Sequence, residues 1–243
     1  MVIISDIHGC FKTMLALLEQ IPEEDKAKGI CFAGDLIDRG PASAQVVQYA
    51  IDNNIHVVKG NHEDMFLAAV DDPSANSSIF LMNGGHNTMR SYQSYGDQKD
   101  VIKDKHIQYL KTLPVYLEFK DIKDVAGRHL LVSHSNMDMR ALGLRKQKGE
   151  VAFEEYVMWN RDAATKPISG TFNCYGHTPQ YEPRIRKTKA NIDTGCCFTA
   201  YGYGKLTALV FPEMRIYQQE NLDHEFLRPK ILGSFENFGL EDV

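Results

Sequence analysis

No apolar run in this 243-residue chain approaches the ~20 residues needed to cross a bilayer. No leader fits either, because the first apolar strand begins at Met1 or Val2, so a cytoplasmic location is the expectation. A basic excess is also missing. The formal net charge is −5, whereas nucleic-acid binding draws most of its affinity from a cationic face. That makes nucleic acid an unfavoured partner but leaves small phosphorylated substrates open, since a few local cations are enough for them. Cysteine is scarce and unpaired in pattern. Cys10, Cys31, Cys174, Cys196 and Cys197 are odd in number and fit neither a disulfide framework nor a zinc ribbon, so they read as reduced thiols. No repeat, low-complexity tract or Pro/Ser-rich linker divides the chain. Residues 1–243 are therefore expected to form a single domain, with a peripheral tail from about residue 222. Nothing demands an oligomer.

What is present is an ordered alternation of strands and helices. The apolar run Met1 to Ser5 reads as a buried strand, followed by a helix over Phe11 to Gln20 with Phe11, Leu15 and Leu18 on one face. Gly29 to Ala33 and Ile55 to Val58 read as further strands, each followed by a helix, over Ala42 to Asp52 and about Glu63 to Val70. Three strand–loop–helix units imply an α/β fold with a largely parallel sheet. In the middle, Asn83-Gly84-Gly85 signals a turn, and the stretches Asp71 to Lys111 and Asn136 to Glu150 contain loops without a readable code. Helices are expected over His86 to Tyr95, Lys105 to Lys111 and Glu150 to Trp159. The remainder is β-rich, with short strands from Thr171 to Gln219.

Each polar cluster follows the carboxyl end of a strand, the edge at which open α/β sheets bind ligands. The clusters are Asp6-x-His8, Gly34-Asp35-x-x-Asp38-Arg39-Gly40, Gly60-Asn61-His62-Glu63, the lone His134, and Gly176-His177. Asp, Asn and His offer oxygen and imidazole donors to divalent ions such as Mn, Fe, Zn, Ni or Mg. Asp6 and His8, two apart on an extended segment, are expected to share one face. Taken singly each histidine is ordinary. Taken together they outline two cation sites bridged by one carboxylate, an arrangement that acidifies a shared water.

The run DIHG, GDLIDRG, GNHE, a lone His after a strand, and GHTP resembles the calcineurin-like metallophosphoesterases. Within them it is similar to the PPP-type serine/threonine phosphatases, especially the small bacterial and phage enzymes. The likeness extends from Met1 to about Phe211 and takes in MNGG, VMWNR and IDTG. It implies a β-sandwich of mixed sheets flanked by helices, with the active site at the carboxyl ends of strands. It implies two divalent ions, manganese first among them. Asp6, His8 and Asp35 would hold one ion, and Asp35, Asn61, His134 and His177 the other. His62 would be the general acid, oriented by Asp38, with Arg39 and Arg161 clamping phosphate and a metal-activated water attacking phosphorus in line. Two departures stand out. Pro179 occupies the place of a second histidine in GHxH relatives, and Lys59 occupies the place of an arginine before GNHE, which weakens a third cationic contact.

The substrate implied first is a phosphorylated protein or peptide. IDTGCC also resembles the dinucleoside polyphosphate hydrolases of the same superfamily, so diadenosine tetraphosphate is the alternative substrate. That group tends to lack the Asp of GDxxDRG and to read GNHD, so Asp38 and Glu63 favour the phosphoprotein reading. A catalytically dead binding module is disfavoured by the complete ligand set, and a phosphodiesterase or nuclease by the acidic charge and Pro179. His56, His106, His129 and His224 read as surface or packing residues, and His86 as a lesser site candidate. Glu63 reads as a helix cap. Asp193 reads equally as a site or a turn residue, Trp159 and Tyr156 as core ahead of pocket wall, and Arg184, Arg186, Lys187 and Lys189 as a solvated basic strand.

Overall fold

The computed structural model describes residues 1–162, 166–198 and 202–223. His224 and the tail beyond it lie outside the described residues. Two five-stranded sheets lie face to face with helices on both outer sides. The first sheet has the order β10-β9-β1-β2-β3, with β1 (Val2–Ile4), β2 (Ile30–Phe32), β3 (His56–Val57), β9 (Lys205–Val210) and β10 (Arg215–Glu220). Strands β1, β2 and β3 run parallel, while β9 and β10 are antiparallel additions. The second sheet has the order β4-β5-β6-β8-β7. Its strands are β4 (Tyr116–Lys123), β5 (His129–Ser133), β6 (Thr171–Tyr175), β7 (Arg184–Arg186) and β8 (Lys189–Asn191). β5, β6 and β8 run parallel between antiparallel edges. The fold is thus the expected mixed-sheet sandwich rather than one parallel sheet.

The period-two alternation of strand side chains sorts the apolar residues into layers. On β1, Val2 and Ile4 face the helices α1 (Phe11–Gln20), α3 (Ser43–Asp52), α4 (Asn61–Asp71) and α7 (Lys99–Lys111). Met1 and Ile3 face the other way, against Leu130, Val132, Phe172 and Cys174 of the second sheet. Leu131 turns outward to Ala141, Phe153 and Val157 of α8 (Met139–Lys148) and α9 (Glu150–Trp159). Each fully buried aliphatic or Phe side chain contributes about 1.5–3 kcal/mol, so these three layers dominate stability. In α1 the buried face centres on Met14, Leu17 and Leu18, with Phe11 and Leu15 at its margin. A single turn, α2 (Glu23–Lys26), leads into β2.

The two expected loop regions are largely helical. Asp72 caps α5 (Pro73–Phe80) by accepting from the backbone of Ser74 and Ala75, with Pro73 in the first turn. A wide turn at Leu81–Gly85 joins it to α6 (His86–Ser91), and Gly84 breaks the helix there at φ 101°. A short 3-10 segment, Tyr92–Gln98, leads into α7. Asp138 caps α8 in the same way as Asp72. These are ordinary N-cap signals, and Asp-Pro is a good one, but a polar, weakly amphipathic helix leaves little periodicity to read. No helix among the described residues is long and apolar enough to cross a membrane. All five cysteines are free and buried.

Candidate active site

The carboxyl ends of β1, β2 and β3 and of β5, β6 and β8 converge on one cavity of about 140 Å³. Its walls include Asp6, His8, Asp35, Arg39, Asn61, His62, Arg161 and His177, which are eight of the predicted residues. The chain reaches this site through left-handed backbone. Of eight non-glycine residues with positive φ among the described residues, six are Asp6, His8, Asp35, Asp38, Arg39 and His177. Such conformations are uncommon outside glycine and cluster where the surroundings impose them for function. They also correct the expectation that Asp6 and His8 share a face by strand alternation. β1 ends at Ile4, Asp6 and His8 sit at φ 53° and 46°, and Ile7 between them drops into the core.

The left-handed loop is held by groups behind it. Glu63, fully buried in the first turn of α4, accepts from the backbone N–H of Asp35 (2.9 Å), Leu36 (2.8 Å), Ile37 (3.3 Å) and Gly60 (2.8 Å). It is therefore more than a helix cap, because it fixes the loop that presents Asp35. Thr88 does the same for Asp38. Its hydroxyl accepts from the Asp38 N–H at 2.9 Å and donates to the Asp38 carboxylate at 2.6 Å. Asn87 donates to the Arg39 carbonyl, and a Cβ on Gly84 would come within 2.7 Å of the Arg39 nitrogen. The neighbouring His86 is exposed and does not line the cavity. Thr88 and Asn87 carried no signal beyond lying just after MNGG.

The imidazoles are oriented by second hydrogen bonds, which fix their tautomers. His8 Nδ1–H donates to the Ile37 carbonyl (2.8 Å), leaving Nε2 against Arg39 Nη1 at 2.7 Å and Asp35 Oδ2 at 3.5 Å. His134 Nδ1–H donates to the Ala33 carbonyl (2.9 Å). Its Nε2 faces Asn61 Oδ1 at 2.9 Å, His177 Nδ1 at 3.1 Å and Asp35 Oδ1 at 3.3 Å. His62 Nδ1 bonds Asp38 Oδ2 at 2.6 Å, and its Nε2 lies 3.9 Å from Asp35. Asp6 accepts from the His177 N–H and from Ser5. A Cβ on Gly176 would collide with both of those side chains.

These donors fit divalent cations. His8, Asp35 and His62 form one convergent group and Asp35, His134 and His177 another, sharing Asp35. Around His134 Nε2, three acceptor atoms of Asn61, His177 and Asp35 converge within 3.3 Å, and His177 Nε2 is buried without a hydrogen-bond partner among the described residues. The charge balance points the same way. Asp6, Asp35, Asp38, Glu63 and Asp193 are all buried, against the guanidiniums of Arg39 and Arg161, and unpaired buried charge is costly. Burial works against a charged imidazole at His134, yet Asp35 and Asp6 push it up to about 10. Burial would raise Asp35, but His134, His62 and His8 hold it well below the usual carboxylate range. Burial, then Asp35, raises Asp6 to about 6 and Glu63 to about 7. Burial and then Arg39 hold His8 well below the usual imidazole range, and its Nε2 lone pair accepts from the Arg39 guanidinium.

The rest of the predicted set divides. Arg161 reaches the cavity from an exposed position, donating to the His177 carbonyl at 3.2 Å. Lys59 does not line it; its backbone N–H is tied to Pro114 and its charge lies near Asp64. Asp193 lines the cavity as well as making a turn to Gly195, and Pro179, Cys197 and Phe198 complete the wall. Trp159 is not core: its ring is exposed and meets His177 edge-on at 6.2 Å. Tyr156 is half-buried and donates to Asp138. Lys189 is buried beside Asn136, unlike the exposed Arg184, Arg186 and Lys187. His106 is a packing residue between Tyr92 and Gln48, His129 pairs with Glu118, and His56 is exposed.

Residues 1–193 match the family model of calcineurin-like phosphoesterases. PrpE of Bacillus subtilis (strain 168), a bis(5'-nucleosyl)-tetraphosphatase (asymmetrical), is 30% identical over 236 residues, covering 87% of this chain and 91% of its own. The protein of the same name from Oceanobacillus iheyensis is 29% identical, with 99% and 98% covered. Among solved structures, a candidate diadenosine tetraphosphatase superposes with a TM-score of 0.62 at 20% identity, covering 90% of this chain and 92% of its own. A serine/threonine phosphatase of Saccharomyces cerevisiae resembling human PP5 superposes at 0.57 and 16% identity, with 92% and 80% covered. At those identities the two structures establish the fold alone.

Proposed function

The chain belongs to the calcineurin-like phosphoesterases, and from that premise we propose that it hydrolyses dinucleoside tetraphosphates asymmetrically, with Asp35 at the centre of a two-cation site. The observation that carries the substrate is the similarity, over nearly the whole of both chains, to proteins named bis(5'-nucleosyl)-tetraphosphatases. This reverses the order of the two substrates weighed from the motifs, where Asp38 and Glu63 favoured phosphoprotein. Glu63 serves the backbone of the Asp35 loop, a task indifferent to the substrate, so it does not discriminate.

In the proposed site, Asp6, His8 and Asp35 would hold one divalent cation, Asp6 standing in for the convergent His62, whose ring is tied to Asp38 as the acid; Asp35, Asn61, His134 and His177 would hold the other, with Mn2+ the first choice. When bound, the pair supplies Lewis acidity towards phosphoryl oxygens and acidifies an attacking water. The chain's own groups do the rest. Arg39 and Arg161 offer planar forks to phosphate oxygens. Asp38 fixes His62 through Nδ1, so that Nε2 faces the cavity and can hold a proton for the departing oxygen. Water oxygen bonds to phosphorus, one anhydride P–O bond breaks, and a nucleoside monophosphate and a nucleoside triphosphate leave.

The second reading is a phosphomonoesterase acting on phosphoprotein. The 2.6 Å Asp38–His62 pair favours it, because an alkoxide leaving group needs a well-placed acid far more than a phosphate does. Turnover of diadenosine tetraphosphate, a phosphoserine peptide and p-nitrophenyl phosphate by Mn2+-loaded protein separates the two. Dominant kcat/KM for the dinucleotide, with mono- and triphosphate products, supports the proposal. Dominant peptide hydrolysis replaces it with the second reading.

A further inference from the structure

We propose that Phe198, Tyr203 and Tyr181 form a nucleobase platform at the cavity mouth, on which one base of a nucleotide substrate stacks; the substrate class rests on the tetraphosphatase reading. The cavity, about 140 Å³, is smaller than the ~300–1,000 Å³ of pockets that enclose a drug-sized ligand. It has room for phosphoryl groups but leaves a nucleoside outside. Whatever recognises the nucleoside must therefore lie on the rim.

On that rim three aromatic rings run outward from the phosphate clamp. Phe198 lines the cavity, and the Arg39 guanidinium lies 5.3 Å from its ring centroid. Tyr203 meets Phe198 edge-on at 6.1 Å and stacks on Tyr181 at 4.7 Å with an interplanar angle of 23°. Phe198 is 39% exposed and Tyr181 59% exposed. Large rings are ordinarily put to use in the core, so a contiguous run with two exposed rings, joined by half-buried Tyr203, beside a polar cavity marks a binding surface. Base rings stack on such platforms whatever their identity, because every base has a π-face. Arg39 adds a cation over one face of the same ring, matching a nucleotide, whose base is joined through its sugar to phosphate.

The platform is also built. The Phe198 N–H and the Gly204 N–H both donate to the Gly195 carbonyl, at 2.9 and 3.0 Å. The Gln180 N–H donates to the Asp193 carbonyl at 2.9 Å, which ties the Tyr181 segment to the loop that lines the cavity. Lys205 and Glu182 neutralise each other at 2.9 Å, so the rim does not act as a bare charge. Trp159, another exposed ring, lines a separate groove with Lys148 and Glu155 rather than the cavity.

The test uses Phe198→Leu, which keeps apolar bulk and removes the π-face, Tyr181→Ala, and Phe198→Trp as the restoring variant. With diadenosine tetraphosphate, Phe198→Leu should raise KM roughly tenfold or more, a rise that exceeds any fall in kcat, and Phe198→Trp should recover it. A loss confined to kcat, or no recovery by Trp, would show that Phe198 acts only by propping Arg39 and would overturn the platform. Calorimetric binding of adenosine 5'-monophosphate against ribose 5-phosphate needs no turnover. Tighter binding of the base-bearing ligand by the wild type, lost in Phe198→Leu, supports the platform. Equal binding of both by the wild type overturns it. Absence of dinucleotide turnover with the base preference intact would remove the tetraphosphatase reading and leave the platform standing.

Discussion

The two sheets contribute to one cavity in different ways. The first sheet delivers Asp6, His8, Asp35, Asp38 and Arg39 on left-handed backbone, pinned from behind by buried Glu63 and Thr88. The second delivers His134 from the end of β5 and His177 just after β6, and brings Arg161 in from an exposed position after α9. The two halves are clamped by the His134 bond to the Ala33 carbonyl and the His177 N–H bond to Asp6. The difference teaches a division of labour. The over-determined first half fixes groups whose placement the chemistry cannot relax. In the second half, Arg161 reaches the cavity from an exposed position.

The largest expected break falls in the first half. Asp35 is the carboxylate common to both donor groups, so Asp35→Ala should lower turnover by at least on the order of 10³-fold and abolish calorimetric binding of Mn2+. Turnover retained within tenfold would remove Asp35 from the centre of the site. Next comes His62→Ala. General acid catalysis supplies about 10²–10⁴-fold, and its share depends on the leaving group. The loss should be greater on a phosphoserine peptide than on diadenosine tetraphosphate, whose departing phosphate needs less protonation. Equal losses on both would mean that His62 does not protonate the leaving oxygen. Glu63→Gln follows: an amide NH2 is turned on backbone N–H groups that now have a carboxylate. Leaving buried donors unsatisfied costs about 1–3 kcal/mol, read as a shift of the urea midpoint. An unshifted midpoint would show that the Asp35 loop holds itself.

How much of this was legible in the sequence follows the same division. Asp35, Asp38, Asn61 and His62 sit in short motifs directly after strands, where the donors of a cation site must be contiguous with the backbone that aims them. The helices α1 and α9 are readable because an apolar face or an abrupt Gly and Asn boundary marks them. Thr88 was not legible, because it acts on Asp38 from 50 residues away and a lone threonine in a helix has no local signature. Phe198 and Tyr181 were silent for a related reason: exposure and stacking are tertiary facts. Lys189 misled because the charged, exposed Arg184, Arg186 and Lys187 precede it, while β8 itself pairs with β6 and is buried throughout.

The smallest effects sharpen the comparison at its edge. Arg161 lines the cavity and Lys59 does not, although both were read from the motifs as cationic contacts to phosphate. Arg161→Met should therefore raise KM roughly tenfold, the size expected from losing one charge-assisted fork to phosphate, with the first-half groups still in place. Lys59→Met should change KM by less than about twofold, as surface charges away from a ligand do. The reason is local. The Lys59 backbone, between β3 and α4, is anchored to Pro114, and its ammonium lies near Asp64. An arginine at this position would extend further and could fork, so Lys59→Arg is the informative partner. A fall in KM for Lys59→Arg with no change for Lys59→Met would mean that the position faces the substrate and that lysine is simply too short. A rise in KM for Lys59→Met as large as that for Arg161→Met would place a cationic contact on the rigid half, and the division between fixed chemistry and open recognition would fail.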